Sequence, residues 1–178
     1  MASYQLEAFN RVDDISIIGA VEQLNATQIQ VAFWVTDPNQ CIIYPKLLSQ
    51  AERHDYLWQH TCFELFLGIQ QQDVYREINL APSGAWQAYA FEEYRYPECM
   101  PPAYAQDIQL IQLQRTKYGI NATLDIKHWL HQQQVKMAQV YLGLTAVVET
   151  ANQHHYFALQ HSGQQADFHN KRDWLHQF

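Results

Sequence analysis

Two glutamates are the clearest candidates for binding or proton-transfer chemistry. Glu64 lies in the run CFELFLG, and Glu77 lies in the run VYREINLA. Because side chains alternate between the two sides of a β-strand, Tyr75 and Asn79 fall on the same side as Glu77. Two carboxylates beside an amide can hydrogen-bond the hydroxyl groups of a small ligand, or act as the acid and base of a hydrolytic reaction.

Three strand-like runs between Trp58 and Arg95 are expected to position these groups. They cover residues 62–68, 74–81 and 85–92, and each alternates with a period of two. In the third run we expect Trp86 on the side of the glutamates, with Tyr89 and Phe91 on the apolar side. Pro82-Ser83-Gly84 predicts a tight turn between the second and third strands.

A plain structural explanation competes with a ligand-binding surface. Antiparallel sheets commonly keep one face in water, and alternating polar residues are typical of such a face. The aromatic residues expected on the polar side favour the ligand surface, but the pattern leaves both interpretations open.

The same segment resembles the DOMON-like ligand-binding domains, which are related to family-nine carbohydrate-binding modules. The resemblance implies a β-sandwich that binds a sugar or haem, without deciding the function. It also extends to the closing segment, residues 156–171. The residues that carry it in the central segment are Tyr75, Glu77, Asn79, Pro82, Ser83, Gly84, Trp86, Tyr89, Phe91, Tyr94 and Arg95.

Length and composition predict one folded domain spanning residues 1–178. Eighteen acidic residues against eleven basic ones give a net charge of −7, which disfavours nucleic acid and anionic membranes as partners. No run has the roughly 20 apolar residues that span a bilayer, and the N-terminus does not resemble an export signal. Cys41, Cys62 and Cys99 have no metal-type spacing, so we expect free thiols and a cytoplasmic protein.

The remaining runs predict an all-β fold. Residues 28–36 alternate cleanly, and 108–113, 118–124, 140–149 and 156–161 are further strand candidates. Asp125 is expected to cap a short helix. We therefore predict an antiparallel β-sandwich, immunoglobulin-like or jelly-roll-like, with one or two short helices. Trp174 and Phe178 are expected to dock the C-terminal tail.

Other candidate site residues lie at strand ends and in the tail. Trp58 offers an aromatic face for a sugar ring, and Arg95 is a partner for an anionic group. His161, Asp167 and His169 could bind a metal or move protons, but their spacing matches no metal motif and we predict no metal. The full predicted ligand-binding set is Trp58, His60, Glu64, Glu77, Asn79, Trp86, Tyr94, Arg95, His161 and His169.

These observations favour a non-catalytic domain that binds a small polar ligand, with a carbohydrate or sugar derivative as the first candidate and no cofactor. A glycosidase-type enzyme using Glu64 and Glu77 is the alternative. A haem-binding domain is a further alternative. The resemblance implies methionine and histidine as the axial ligands of the iron, but neither Met100 nor Met137 lies in a segment that the sequence pairs with a histidine. An interaction domain without a small ligand is the fourth. The sequence leaves oligomeric state and ligand identity open.

Overall fold

Two β-sheets pack face to face in the computed structural model, which describes residues 1–175. The first sheet has five strands in the order β1-β3-β4-β10-β9, all antiparallel. Its strands are β1 (Ala2–Gln5), β3 (Ser16–Gln23), β4 (Gln28–Thr36), β9 (Gln109–Thr116) and β10 (Gly119–Asp125).

The second sheet has seven strands in the order β2-β12-β11-β6-β7-β8-β5. Only β5 breaks the antiparallel pattern, because it runs parallel to β8. The strands are β2 (Glu7–Ala8), β5 (Glu52–Arg53), β6 (Cys62–Ile69), β7 (Tyr75–Leu80), β8 (Ala85–Phe91), β11 (Val140–Glu149) and β12 (His154–Ala158).

Helical structure is short. One α-helix, α1 (Lys127–Gln133), follows β10, and the Asp125 carboxylate accepts a hydrogen bond of 2.8 Å from the Lys127 amide. Among residues 1–175, three single turns of 3-10 helix occur at Leu57–Gln59, Met137–Gln139 and Lys171–Asp173. Within residues 1–175, no helix is long and apolar enough to cross a bilayer.

The main core lies between the two sheets. Phe33 of β4 and Phe63 of β6 stack across it with ring centroids 5.0 Å apart. Leu65 and Ile78 have no exposed surface in this core, because their strands turn one side toward the first sheet. The predicted all-β sandwich with short helices is confirmed.

The second sheet is buried on both sides at its centre. Every residue of β6 and β7 is buried, although only one side of these strands faces the main core. Chain segments pack on the other side, where Trp174 closes a separate aromatic cluster. That cluster consists of Phe66, Tyr75, Tyr89, Phe91, Tyr141 and Trp174. The competing interpretation of a solvated polar face is therefore wrong.

Candidate functional site

Glu64 and Glu77 lie on adjacent strands, on the side of the second sheet that faces away from the main core. Glu64 pairs with Asn79, and Glu77 pairs with Phe66, so the two glutamates are diagonal neighbours. Diagonal side chains of an antiparallel pair start about 7–8 Å apart. Glu64 is 2% exposed and Glu77 is 5% exposed, and both line a cavity. They form a buried polar floor rather than a solvated surface.

Trp86 does not share this floor, so its predicted position is wrong. A hydrogen-bonded turn closes residues 81–85, and the resulting register pairs Leu80 with Trp86. Directly paired residues point to the same side of a sheet, so Trp86 follows Leu80 into the main core. The Arg53 guanidinium lies 4.1 Å from the centre of the Trp86 ring. In its place the same register brings Tyr89 and Phe91 to the side of Glu77.

Each glutamate accepts a hydrogen bond from a neutral side chain. The Thr145 hydroxyl of β11 donates to Glu64 Oε2 at 3.0 Å. The Asn79 amide donates to Glu77 Oε1 at 2.7 Å. Asn79 has no exposed surface, so its predicted role becomes the positioning of Glu77 rather than contact with the cavity.

His169 connects the C-terminal tail to the floor. Its Nδ1 lies 2.7 Å from the hydroxyl oxygen of Tyr75, and that oxygen also accepts a hydrogen bond from the Arg95 amide. We assign the tautomer in which the Tyr75 hydroxyl donates its proton to Nδ1 and the imidazole proton lies on Nε2. The Nε2 atom faces Glu77 Oε2 at 3.5 Å.

Burial shifts the pKa values of these groups toward their neutral forms. Loss of solvation raises the pKa of Glu77 to about 7, against the opposing effects of Asn79 and Arg95. Burial also raises the pKa of Glu64 well above its usual range, and the nearby Glu77 adds to the rise. The pKa of His169 falls to about 3, first because of burial and then because of Arg95. The contact between His169 and Glu77 is consequently not an ion pair of two charged groups.

Apolar and aromatic side chains surround this floor. The cavity has a volume of about 560 Å³, within the range of small-molecule sites. Trp58 forms one wall of the cavity. The segment just before it is held against the sheet by Asp55, whose carboxylate accepts hydrogen bonds from the Tyr89 and Tyr104 hydroxyls. The lining residues are Trp58, Glu64, Phe66, Glu77, Phe91, Arg95, Pro97, Glu98, Cys99, Met100, Pro102, Val147, Tyr156, Ala166, Phe168 and His169.

The tail that carries His169 is tied to the sheet at two points. Leu175 and Leu142 exchange two backbone hydrogen bonds along the part of β11 that β12 leaves unpaired. At the rim, Arg95 donates to Asp167 at 2.9 Å, and the Tyr94 hydroxyl donates to the same carboxylate at 2.8 Å. Arg95 is thus neutralised by a residue of the tail. The docking of Trp174 is confirmed, whereas Phe178 lies outside the described residues.

Two predicted site residues lie elsewhere. His60 pairs with Glu149 at 2.9 Å in an exposed position, and His161 contacts the backbone oxygen of Glu7 at 3.0 Å. Neither lines the cavity, so the expectation that they join one surface with Glu77 is not met. Within residues 1–175, no group of three or more histidine, cysteine, aspartate or glutamate residues could hold a metal ion.

The residues at the cavity do not fit axial ligation of haem iron. The structure does bring Met100 and His169 to one cavity, a pairing that the sequence did not suggest, and Met137 lies in the core. Both nitrogens of His169 already have neighbours, however: Nδ1 is hydrogen-bonded with the Tyr75 hydroxyl, and Nε2 faces the Glu77 carboxyl group. Iron binding would have to displace one of these contacts.

Several cavity residues escaped the sequence analysis. The period of two puts Phe66 on the same side of β6 as Glu64, but its residue type did not single it out as a ligand contact. Phe168 adjoins His169 and could have been taken with it. Met100 and its neighbours lie in a proline-rich loop. Such a loop has no repeating hydrophobic pattern in the sequence, so its path over the sheet could not be predicted.

Comparison with known proteins supports the architecture. A solved structure from Bacteroides uniformis, named as a candidate carbohydrate-binding protein, aligns with 97% of this chain and 84% of its own. The TM-score is 0.64 at 10% sequence identity, a likeness that shows the fold. No protein-family model matches the chain, and no curated protein matches it either.

Proposed function

We propose that this protein is a non-catalytic binding domain for a small carbohydrate or sugar derivative, held in the cavity above Glu64 and Glu77. The observation that carries the proposal is the combination of a buried polar floor with aromatic walls. Sugar rings present hydroxyl groups at their edges and C–H groups on their faces. The two carboxyl groups can bond the hydroxyls, while Trp58 and Phe168 offer apolar surface to the ring.

The structural neighbour adds a second, independent support. Its name associates the same sandwich fold with carbohydrate. The resemblance of the central segment to DOMON-like domains agrees with this direction, and we propose membership of that group. The three free cysteines, of which Cys41 and Cys99 are exposed, fit our proposal of a cytoplasmic location.

Glycoside hydrolysis is the second candidate, favoured by one observation. Glu64 and Glu77 are neighbouring carboxyl groups in a cavity, and glycosidases use two such groups about 5–10 Å apart. Both groups, however, lie side by side in the floor rather than on opposite sides of the space where a ring would sit. Binding is therefore the better supported function.

The test is calorimetric titration with a panel of mono- and disaccharides, repeated on Trp58→Ala. Removing the Trp58 ring should weaken binding of the active sugar about fivefold or more, since stacking on a large aromatic face contributes about 1 kcal/mol. The matched control is Trp34→Ala, which removes a tryptophan 41% exposed on the first sheet. Equal weakening in both variants, or no binding of any sugar, would overturn the proposal. Steady release of reducing sugar, lost in Glu64→Gln, would replace binding with hydrolysis.

A further inference from the structure

The charges around the cavity are unbalanced. Glu64, Glu77 and Glu98 line it, while its one guanidinium, Arg95, is already paired with Asp167. Among residues 1–175, no lysine or arginine forms an ion pair with Glu64 or Glu77.

The partners that the two floor glutamates do have are neutral. They are the Thr145 hydroxyl, the Asn79 amide and the uncharged imidazole of His169, whose Nε2 lies 3.5 Å from Glu77 Oε2. A buried carboxylate is stable only when a cation or several hydrogen-bond donors compensate its charge. In the free protein, burial favours the neutral forms of Glu64 and Glu77. Both side chains line the cavity, so the compensation that would let them ionise has to come from a ligand within it.

A primary ammonium group matches this deficit. It brings one positive charge and three N–H donors, enough to contact both carboxylates at once. Aromatic rings around the cavity, including Phe66, Phe91 and Trp58, add favourable interaction with a cation. A neutral sugar would supply hydrogen bonds but no charge, so it would not favour the ionised form of either glutamate.

We infer that the ligand of this cavity is an amino sugar with a free amine, whose ammonium group contacts Glu64 and Glu77. The inference rests on the proposed function and narrows it to a cationic class of sugar. N-acetylated sugars, which lack the charge, are excluded as the preferred ligands.

The inference predicts a pH dependence with a definite sign. The ammonium group favours ionised carboxylates, so below the free-protein pKa of Glu77, about 7, binding must release a proton. Affinity for the amine should fall by up to about tenfold for each pH unit below 7. The titratable groups that face or act on Glu77 are Cys62 and Glu64 of β6, Tyr75 of β7, Tyr89 of β8, Arg95 after β8, and His169 of the tail.

The experiment compares four probes on the whole chain by calorimetry: glucosamine, glucose, N-acetylglucosamine and cyclohexylamine. At pH 7 we expect glucosamine to bind at least about tenfold more tightly than each of the others. At pH 5 its advantage over glucose and N-acetylglucosamine should shrink at least about tenfold, whereas its advantage over cyclohexylamine should stay the same. Titrations in buffers of different ionisation enthalpy should show net proton release at pH 6.

Charge-neutral variants locate the effect. In Glu77→Gln the ratio of glucosamine to glucose affinity should fall toward one, and Glu64→Gln supplies the same test if the first variant does not fold. Glu22→Gln, a substitution near the end of β3 in the first sheet, should leave the ratio unchanged.

The outcomes separate the two proposals. Glucose or N-acetylglucosamine binding as tightly as glucosamine would overturn the amine inference and leave carbohydrate binding intact. Binding of no sugar would overturn both. Cyclohexylamine binding as tightly as glucosamine would replace the amino sugar with a simple amine.

Discussion

His169 Nε2 lies 3.5 Å from Glu77 Oε2, and this contact joins a tail residue to a strand residue 92 positions earlier in the chain. In the tautomer that we assign, the other ring nitrogen, Nδ1, accepts the Tyr75 proton and Nε2 carries the imidazole proton. The histidine is therefore a neutral side chain whose Nε2 faces Glu77 in the floor of the cavity.

We predict that His169 remains an uncharged Nε2–H imidazole from pH 8 down to about pH 4, because its pKa lies near 3. An exposed histidine titrates near pH 6.5. Nitrogen-detected NMR of the imidazole rings would show the tautomer directly, with the chain unfolded in urea as the control. A His169 signal that titrates between pH 6 and 7 in the folded protein would contradict the assignment.

A second prediction concerns stability. The pKa of Glu77 is raised from 4.5 to about 7 in the folded protein, so its contribution to stability is fully present below pH 4.5 and is lost as the pH rises through 7. Glu77→Gln cannot ionise and is spared this loss. Between pH 4.5 and 8 the variant should gain about 1–3 kcal/mol of unfolding free energy relative to the wild type.

Urea unfolding at a series of pH values would measure this gap. His169 contributes in the opposite sense, since its stabilisation is present above pH 6.5 and lost as the pH falls toward 3. Because both proteins contain His169, its contribution cancels when their unfolding free energies are compared at the same pH. Parallel stability curves for the wild type and Glu77→Gln would show that Glu77 is ionised in the folded state.

The sequence predicted the floor of the site because two strands have an unambiguous period of two. Phe63, Leu65 and Leu67 can face only the main core, which assigns Glu64 to the other side. The same argument holds for Ile78 and Leu80 against Glu77. Strand alternation is a local property, so these positions follow without knowledge of the rest of the chain.

Trp86 shows where that argument ends. Both sides of β8 are largely apolar, so alternation does not say which side faces the main core. The side is decided by the register across the 81–85 turn, which depends on how the turn closes. His169 is a different case, because its place above Glu77 depends on the path of the whole tail, and no local pattern encodes a contact of that range.

The position of Trp86 gives a third prediction. Trp86→Ala should lower the unfolding free energy by about 3–5 kcal/mol, since it opens a large cavity in the core and removes the contact with Arg53. Trp34→Ala should cost about 1 kcal/mol or less, because that ring is partly in solvent. Thermal and urea unfolding measure both. A small loss of stability in Trp86→Ala would return Trp86 to the list of candidate ligand contacts.

The last prediction tests how the tail completes the site. Gly143 of β11 lies beneath the Trp174 ring, and a Cβ atom at this position would meet Trp174 Cδ1 at 2.6 Å. Gly143→Ala should therefore push Trp174 off the sheet and weaken the two hydrogen bonds between Leu142 and Leu175. We expect a loss of about 1–3 kcal/mol in stability, faster amide exchange at Leu142 and Leu175, and weaker ligand binding as His169 leaves Glu77.

Hydrogen exchange read by NMR separates this from a general loss of stability, since the amides in the middle of β4 should keep their protection. Gly163→Ala is the matched control, because Gly163 lies in an exposed loop of the same tail and its nearest neighbours are backbone atoms of Gln165. A Cβ atom at Gly163 would meet the Gln165 backbone at 3.2 Å and would not meet Trp174, so exchange at Leu142 and Leu175 should be unchanged. If Gly143→Ala left both amides protected and ligand affinity intact, the cavity would not depend on the docked tail.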